Sequence, residues 1–397
     1  MGAPQARLSE LGERLIDRGW RIEALTALPN YPTGEIFPGY DRARPAVEKI
    51  GRIRAVRVPM WPSKSGVAKR LASYFSFVAS ASAFGPGRCA RPDLLYVESP
   101  PLFIGYAARY LSARWRCPYV LNVSDLWPES AIRLGLVQPG TATRLAAGLE
   151  ETLYRRAAGV TGQSSEIIDA VRRRAPATPT QLVTNGVDPS RFGRDKADAA
   201  ARALLGAGRG PLFIYAGLLG WAQRLDQILD VARLLPAAVD ARFVLVGDGP
   251  DRDKLVRRVA DERIARVAIL PAQPRERIPA LLAAVDVALV TLGASIPGAV
   301  PSKIYEAMAS ELPIVLVADG EPARRVVEAG AGLVVPPGDA RALVAACERV
   351  ATAPALRAMM GAAGRRAAET LYDRDHIAST LDRFLRARLG AAASCRP

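Results

Sequence analysis

The chain has 397 residues, which is too long for one ordinary α/β domain and predicts two domains. Its net charge of +15 favours polyanionic, lipid or phosphorylated partners, although a GC-rich coding bias toward Arg would give the same excess. The only histidine, His376, argues against a His–carboxylate relay or a His-rich metal site, and the four scattered cysteines lack zinc spacing. Neither a signal peptide nor an apolar run of membrane-spanning length is apparent, so we expect a cytoplasmic protein, with a peripheral membrane position open.

The first predicted element is a helix over residues 8–19. A Rossmann domain normally opens with a strand, a turn and then such a helix. We therefore expect that the first N-terminal strand is missing and that the sequence is truncated upstream.

Short apolar runs then alternate with helix patterns, which is typical of parallel α/β structure. The predicted strands of the first half are residues 21–27, 53–58, 93–97, 119–123, 159–163 and 181–184. Those of the second half are residues 212–216, 242–246, 267–270, 287–291, 314–317 and 332–335. Their Val, Ile and Leu content predicts strands buried on both faces. We predict an N-terminal domain at 1–187, a second domain at 188–370, and a C-terminal helix at 371–397 that returns to the first domain.

Residues 301–338 carry the most informative pattern. Ser302 and Lys303 begin a helix after a loop, and a second helix begins at Gly320-Glu321. Helix N-termini direct backbone N–H groups at bound phosphate, and Lys303 adds a full positive charge. Glu306, one turn later, can accept hydrogen bonds from sugar or ribose hydroxyls. An ordinary αβα segment with a solvated Glu would give the same pattern.

Polar residues also follow two strands of the first half, at the edge where open α/β sheets bind ligands. Asp125 can accept a proton from a hydroxyl group or orient it, and the alternative is that it caps the next helix. Glu129 is a nearby second carboxylate, and Glu98 and Ser99 end the preceding strand. We expect these four residues to line one site.

The 301–338 segment resembles the donor-binding signature of family 4 glycosyltransferases. These enzymes have the GT-B fold, in which two Rossmann-like domains with parallel sheets face each other across a cleft. Other motifs of the family occur in order at residues 185–188, 215–217, 246–250 and 281–290. The N-terminal half resembles one branch, the amino-sugar (N-acetyl-fucosamine-type) transferases of bacterial O-antigen and capsule synthesis, at residues 30–34, 99–101 and 122–130.

The resemblance implies a retaining, metal-independent enzyme of the hexosyltransferase type. It would move an N-acetylated deoxy-hexosamine from a UDP-sugar, which is a co-substrate and not a cofactor. The acceptor would be a polyprenyl-diphosphate-linked or other saccharide at the inner face of the cytoplasmic membrane, in the synthesis of lipopolysaccharide or another surface polysaccharide.

The resemblance also implies roles for particular residues. The implied catalytic residues are Asp125, Lys303 and Glu306. The implied donor-binding residues are Gly217, Gln223, Arg224, Gly247, Gly249, Pro271, Ala272, Ser302, Lys303, Glu306, Gly320 and Glu321. The implied acceptor-binding residues are Glu98, Ser99, Asp125 and Glu129, and no metal ligand is expected. Gly2 and Gln5 would face the sugar diphosphate.

The sequence departs from the wider family at its charged positions. Gly298 stands where the family has a Glu, and Leu218 and Gln223 stand where it has Arg and Lys. Ser124 replaces the His that often precedes the candidate base. Lys303, with the helix N-termini, would then have to stabilise the departing diphosphate without a metal.

Residues 61–91 form a basic amphipathic pattern with several aromatic residues. The basic residues are Lys64, Lys69, Arg70, Arg88 and Arg91. Such a helix can lie in a membrane interface. It can equally be a Rossmann helix that packs on its sheet, and the apolar set is wide enough for both.

Two other functions compete with the transferase. A nucleotide-sugar epimerase on the same fold would need several cleft carboxylates and histidines, and the one His argues against it. A polyanion-binding scaffold would need a continuous basic stripe with base-stacking aromatics. Because the aromatics lie mostly inside helix patterns, we predict no nucleic-acid partner.

Overall fold

The computed structural model describes residues 3–30, 34–63, 66–133, 135, 137–206, 208, 210–293 and 297–394. The chain divides into two compact units, one comprising Met1–Thr184 with Ile377–Pro397 and the other Asn185–His376. We call them the N-terminal unit and the C-terminal unit. Their boundaries differ from the predicted limits, 187 and 370, by a few residues.

Both units alternate strands and helices. The strands are β1 (Glu23–Ala27), β2 (Ala46–Ile50), β3 (Ile53–Val58), β4 (Leu95–Ser99), β5 (Tyr119–Val123), β6 (Gly159–Gly162), β7 (Thr180–Leu182), β8 (Leu212–Ala216), β9 (Arg242–Val246), β10 (Val267–Leu270), β11 (Val287–Thr291), β12 (Ile314–Val317) and β13 (Gly332–Val335). The helices are α1 (Ala3–Asp17), α2 (Val67–Arg88), α3 (Ile104–Trp115), α4 (Glu129–Arg133), α5 (Thr141–Arg156), α6 (Ser165–Arg174), α7 (Ala199–Leu205), α8 (Asp226–Leu234), α9 (Arg252–Asp261), α10 (Ile278–Ala283), α11 (Ser302–Ala309), α12 (Gly320–Glu328), α13 (Ala340–Thr352), α14 (Pro354–Thr370) and α15 (Arg374–Ser394).

The strands of the N-terminal unit form two sheets. The order β4-β5-β6-β7 is parallel throughout, whereas β2 pairs antiparallel with β3 in the sheet β1-β3-β2. Strand β2 was not among the strands predicted from the sequence. Strand β5 is buried along its whole length, but β1 is only half-buried. Helix α1 is the first element described, and the expected strand before it stays a prediction.

The C-terminal helix α15 packs on the N-terminal unit. Its residues Leu381 and Leu385 share a hydrophobic core with Leu11 and Leu15 of α1. The Trp20 indole N–H donates to the Asp382 carboxylate at 2.6 Å. Burial of these apolar side chains therefore packs helix α15 against helix α1.

The C-terminal unit is built on one six-stranded parallel sheet with the order β10-β9-β8-β11-β12-β13. All six strands have the bounds that the apolar runs predict. Two hydrophobic clusters cover its two faces, one with α11 and α14 and the other with α8 and α13. In chain order, β9 and β10 lie on one side of β8, whereas β11, β12 and β13 lie on the other side. The strand order therefore reverses between β8 and β11, which makes this the topological switch point of the sheet. Open α/β sheets bind ligands at that point, beyond the carboxyl ends of the strands.

Candidate donor and acceptor sites

The predicted donor-binding residues lie at the carboxyl edge of the C-terminal sheet. Parallel strands end at the same edge, so the segments that follow β8, β9, β10, β11 and β12 converge there. These segments carry Gly217, Gln223 and Arg224; Gly247 and Gly249; the exposed Pro271 and Ala272; Ser302, Lys303 and Glu306; and Gly320 with Glu321.

Lys303 is the central charged residue of this edge. Its Nζ donates a hydrogen bond to the Tyr215 hydroxyl at 2.9 Å and lies 4.4 Å from the centre of the Tyr215 ring. Within the described part of the chain, no carboxylate forms an ion pair with Lys303. Burial lowers the pKa of the Lys303 ammonium to about 8. A desolvated cation that has the Glu306 charge nearby but forms no direct ion pair in that part of the chain fits a site for a bound anion.

Gly217 makes room for that lysine. A Cβ atom at this position would lie 2.3 Å from Lys303 Cε, and the backbone φ of 149° favours glycine. Lys303 therefore packs directly over the backbone that follows β8.

Gly247 and Gly249 allow a close approach between two backbone segments. A Cβ on Gly247 would lie 1.8 Å from the Gly217 carbonyl oxygen, and one on Gly249 would lie 2.4 Å from the Leu219 carbonyl oxygen. The two glycines thus seat the loop after β8 on the turn after β9. Their predicted contact with the donor stays a prediction.

Two helix starts face this edge without side-chain caps. Among the described side chains, none caps the first turn of α11 at Ser302 or of α12 at Gly320. Helix α11 also carries Lys303 in its first turn. The first-turn backbone of such a helix suits an anionic ligand.

Glu306 is a partly buried carboxyl group surrounded by positive charge. Burial raises its pKa, while Arg275, Lys303 and Arg191 act in the opposite direction. A carboxylate held in this way can accept hydrogen bonds from ligand hydroxyls.

The structure gives Glu321 another set of partners. Its buried carboxylate pairs with Arg325 at 2.7 Å and also with Arg324, and Arg325 in turn contacts the Tyr305 hydroxyl. Because these ion pairs occupy both carboxylate oxygens, the Gly320 amide is the better placed of the two predicted sugar contacts.

Gln223 and Arg224 end the loop after β8. The Thr291 hydroxyl donates to the Gln223 carbonyl at 2.7 Å, which ties the loop to the end of β11. The buried Gln223 side-chain oxygen has no hydrogen-bond partner in the described residues. The Arg224 side chain is 63% exposed and lies 3.4 Å from Asp226.

Glu98 is part of a buried polar network at the carboxyl edge of β4, β5 and β6. Arg7 of α1 donates to Glu98 at 2.6 Å and to the Ser124 hydroxyl at 3.0 Å. Asn122 donates to the other Glu98 oxygen at 2.6 Å, and Ser124 also donates to Glu98. These hydrogen bonds indicate that Glu98 holds α1, β5 and the loop after β5 in place around the site. Ser99 is buried beside it, and acceptor contact of either residue stays a prediction.

The loop that carries Asp125 is clamped from several sides. The Ser130 hydroxyl donates to Asp125, and burial raises the pKa of that carboxyl group. The buried Glu150 accepts from the Trp127 amide at 3.1 Å and from Arg174 at 2.6 Å. Arg174 also pairs with Glu129, so the Glu129 carboxylate helps to hold this loop.

Arg7 and Glu150 were not predicted from the sequence. Both are charged residues within helix patterns, where a solvated position is the ordinary expectation. Their partners lie far away in the chain: Glu98 is 91 residues from Arg7, and Trp127 is 23 residues from Glu150. No local sequence signal marks such contacts.

Helix α2 uses most of its apolar face for the core. Phe77, Val78 and Phe84 pack against β1 and β3. The structure leaves Phe75 exposed, with its ring 4.8 Å from the Phe103 ring and 6.3 Å from the Tyr106 ring. Part of the aromatic set therefore faces solvent.

Some predicted features fall outside the described residues, namely Gly2, Lys64 and the Tyr31–Thr33 part of the 30–34 motif. Over the ranges that the structure describes, no cluster of three or more His, Cys, Asp or Glu side chains could hold a metal ion. Metal-independent transfer stays a prediction. No helix in those same ranges is long and apolar enough to cross a membrane.

Two family models match the chain. The model of glycosyl transferases group 1 matches residues 198–367, and the model of the glycosyl transferase 4-like domain matches residues 2–186. Together they span almost the whole chain, one on each structural unit. The chain belongs to the glycosyltransferases with the GT-B fold.

Curated relatives agree with this assignment. The chain is 28% identical to the probable glycosyltransferase WbjE of Pseudomonas aeruginosa, over 64% of this chain and 65% of WbjE. It is 26% identical to a 2-deoxystreptamine glucosyltransferase of Streptomyces kanamyceticus, over 88% of this chain and 90% of that enzyme. It is also 33% identical to a GDP-mannose-dependent phosphatidylinositol dimannoside mannosyltransferase of Mycobacterium tuberculosis, over 29% of this chain and 30% of that enzyme.

Solved structures show the same fold. Sucrose-phosphate synthase from Thermosynechococcus elongatus superposes with a TM-score of 0.78 at 20% identity, over 98% of this chain and 94% of that one. Anabaena HepE in complex with UDP superposes with a TM-score of 0.64 at 20% identity, over 82% of this chain and 86% of that one. The predicted fold class is confirmed.

Proposed function

We propose that this protein is a retaining, metal-independent transferase that moves a sugar from a UDP-sugar to a lipid-linked saccharide acceptor. The sugar is an N-acetylated deoxy-hexosamine, and the product belongs to a bacterial surface polysaccharide. The observation that carries the proposal is the Lys303 ammonium at the switch point of the C-terminal sheet, a desolvated cation that forms no ion pair with a carboxylate in the described residues.

The comparisons support parts of this proposal. Anabaena HepE was solved with UDP and with UDP-glucose, and the Streptomyces relative is a glucosyltransferase, so a UDP-sugar is the donor that we favour. The mycobacterial relative uses GDP-mannose but matches over only 29% of this chain. The amino-sugar and the lipid-linked acceptor rest on the motif resemblance at residues 99–101 and 122–130.

The donor diphosphate would lie at the starts of α11 and α12, where Lys303 stabilises the charge that grows on the leaving group. Glu306 would accept hydrogen bonds from ribose hydroxyls, and the Gly320 amide would contact the sugar. Asp125 would orient or deprotonate the acceptor hydroxyl, since its raised pKa moves it toward the range useful for proton transfer. Retention of anomeric configuration follows from the resemblance.

Calorimetry with UDP and GDP, followed by transfer from UDP-N-acetyl-hexosamines to a polyprenyl-diphosphate saccharide, tests the proposal. We expect Lys303→Ala to bind UDP much more weakly and Asp125→Asn to keep UDP binding but lose transfer. Two exposed residues provide matched controls, Lys254→Ala in α9 and Asp169→Asn in α6. Preferential binding of GDP, or full transfer by Lys303→Ala, would contradict the proposed donor site.

We also propose that the N-terminal unit contacts the inner membrane surface through α2 and α3. Trp61 is 70% exposed, and Phe75, Tyr106 and Tyr110 are each more than two-fifths exposed. Exposed Lys69, Arg70 and Arg109 belong to the same two helices. An aromatic and basic surface of this kind suits the interface of an anionic bilayer.

Flotation with vesicles of anionic or neutral lipid tests this contact. We expect binding to the anionic vesicles, weakened by a Phe75→Ser and Tyr106→Ser double variant. Leu145→Ser, which changes an even more exposed apolar side chain on α5, is the control. Equal flotation of all three proteins would refute the proposed contact.

A further inference from the structure

Tyr215 connects the candidate donor cation to the sheet. It is fully buried near the end of β8, and its hydroxyl donates a hydrogen bond to the Leu218 carbonyl at 2.8 Å. Burial raises the pKa of this phenol far above its ordinary value, so it stays protonated. Because its one proton is directed to Leu218, the hydroxyl can only act as an acceptor toward the Lys303 ammonium.

The ring of Tyr215 adds a second contact. The Lys303 Nζ lies 4.4 Å from the ring centre, within the range of a cation–π interaction. On its other side, the lysine side chain packs over Gly217, where no Cβ obstructs it. The ammonium is thus held by a hydroxyl, an aromatic ring and a glycine slot before any ligand binds.

We propose that Tyr215 is a positioning residue of the donor site, which holds the Lys303 ammonium in place to receive the diphosphate of the sugar donor. The inference rests on the proposed function. Such pre-organisation saves the ordering of a long, flexible side chain when the ligand binds. Gln223 and Leu218 stand where the wider family has cations. Binding of the donor diphosphate therefore depends more strongly on the placement of Lys303.

The pH dependence of binding gives this inference a specific signature. The groups that face Lys303 are the Tyr215 hydroxyl from β8 and Glu306 from α11, and Arg191 and Arg275 in turn face Glu306. Burial sets the pKa of Lys303 at about 8, whereas a bound diphosphate favours the charged form. UDP affinity should therefore stay level below about pH 8 and fall about tenfold per pH unit above it.

The test is calorimetric binding of UDP to four proteins between pH 7 and 9.5: the parent, Tyr215→Phe, Lys303→Met and the double variant. Tyr215→Phe removes a hydrogen bond to a charged group, and we expect about tenfold weaker binding at pH 7. It should also move the start of the decline to lower pH. In the Lys303→Met background the Tyr215 change should have no further effect. Lys303→Arg, which keeps its charge, reports the titration of the ligand itself.

Tyr119→Phe is the matched control, since the buried Tyr119 hydroxyl also donates to a backbone carbonyl, that of Leu153, at 2.8 Å. It should bind UDP like the parent. If the parent does not bind UDP, the proposed function fails. If the parent binds but Tyr215→Phe binds equally well, or weakens binding just as much in the Lys303→Met background, the positioning role is refuted.

A measurement on the parent protein covers the case in which Tyr215→Phe does not fold. With lysine labelled at Cε, the Lys303 resonance should be shifted by the Tyr215 ring current and should titrate near pH 8. Addition of UDP should raise the pH of that titration. A Lys303 resonance without the ring-current shift would overturn the inference.

Discussion

Substitution of Gly217 by Ala should weaken donor binding as well as destabilise the protein. The new Cβ would lie 2.3 Å from Lys303 Cε and 2.5 Å from Nζ, so the two cannot both keep their positions. The lysine is a flexible side chain and can swing away, which relieves the clash at the expense of its contact with Tyr215. The backbone φ of 149° adds strain of about 1–3 kcal/mol.

Gly338→Ala separates these two effects. Gly338 also has a positive φ, of 89°, but a Cβ there would meet nothing within 4 Å among the described residues. Both variants should therefore lower the urea midpoint of the C-terminal unit. Only Gly217→Ala should weaken UDP binding, by roughly 10- to 100-fold, the equivalent of one hydrogen bond to a charged group. Parental UDP affinity in folded Gly217→Ala would show that Lys303 does not depend on this slot.

Three other predictions concern stability. Burial raises the pKa of the Glu150 carboxyl group from 4.5 to about 7. Its contribution to the free energy of unfolding is therefore complete below pH 4.5 and is lost as the pH rises through 7, by up to about 3 kcal/mol. Glu150→Gln should flatten the fall in urea midpoint between pH 5 and 7.5, and an unchanged slope would contradict this. Arg325→Met leaves the Glu321 carboxylate without its main partner and should lower the free energy of unfolding by about 3–5 kcal/mol. Adding Glu321→Met should recover part of that loss. A decrease below 1 kcal/mol in chemical denaturation would argue against this prediction. Leu381→Ala in α15 should destabilise the N-terminal unit by about 2–5 kcal/mol and leave UDP binding unchanged, whereas lost binding would point to a different role for α15.

The success of the strand predictions follows from burial. Strands such as β12 are apolar throughout because helices cover both faces of their sheet, and a continuous apolar run marks their ends clearly. Strand β2 carries no such mark. Its Val47 is exposed, while Glu48 accepts a hydrogen bond from Tyr40 at 2.6 Å and pairs with Arg57. Tertiary contacts at an edge, and not hydropathy, hold this strand.

The candidate site was predictable where the signal is local. Lys303 stands in the first turn of a helix after a Pro-Ser loop, and this local pattern favours an anion site. Its partner Tyr215 is 88 residues away and looks like an ordinary strand residue. The spacing of Glu321 and Arg325, one helical turn apart, is visible in the sequence and predicts their pairing. That pairing competes with the predicted contact between Glu321 and the sugar.

The departures from the wider family have a consequence that can be tested by adding charge. Leu218 is 53% exposed and follows Gly217, and its own carbonyl is held by Tyr215. A lysine at this position would restore a cation to the loop without displacing a core side chain. We expect Leu218→Lys to strengthen UDP binding by a few-fold, with a steeper salt dependence, and to recover part of the affinity that Lys303→Met loses. Leu234→Lys adds the same charge at an exposed leucine of α8 and should do neither. Equal gains from both variants would mean that the protein's overall positive charge attracts the nucleotide, whereas no gain from Leu218→Lys would place the diphosphate away from the loop after β8.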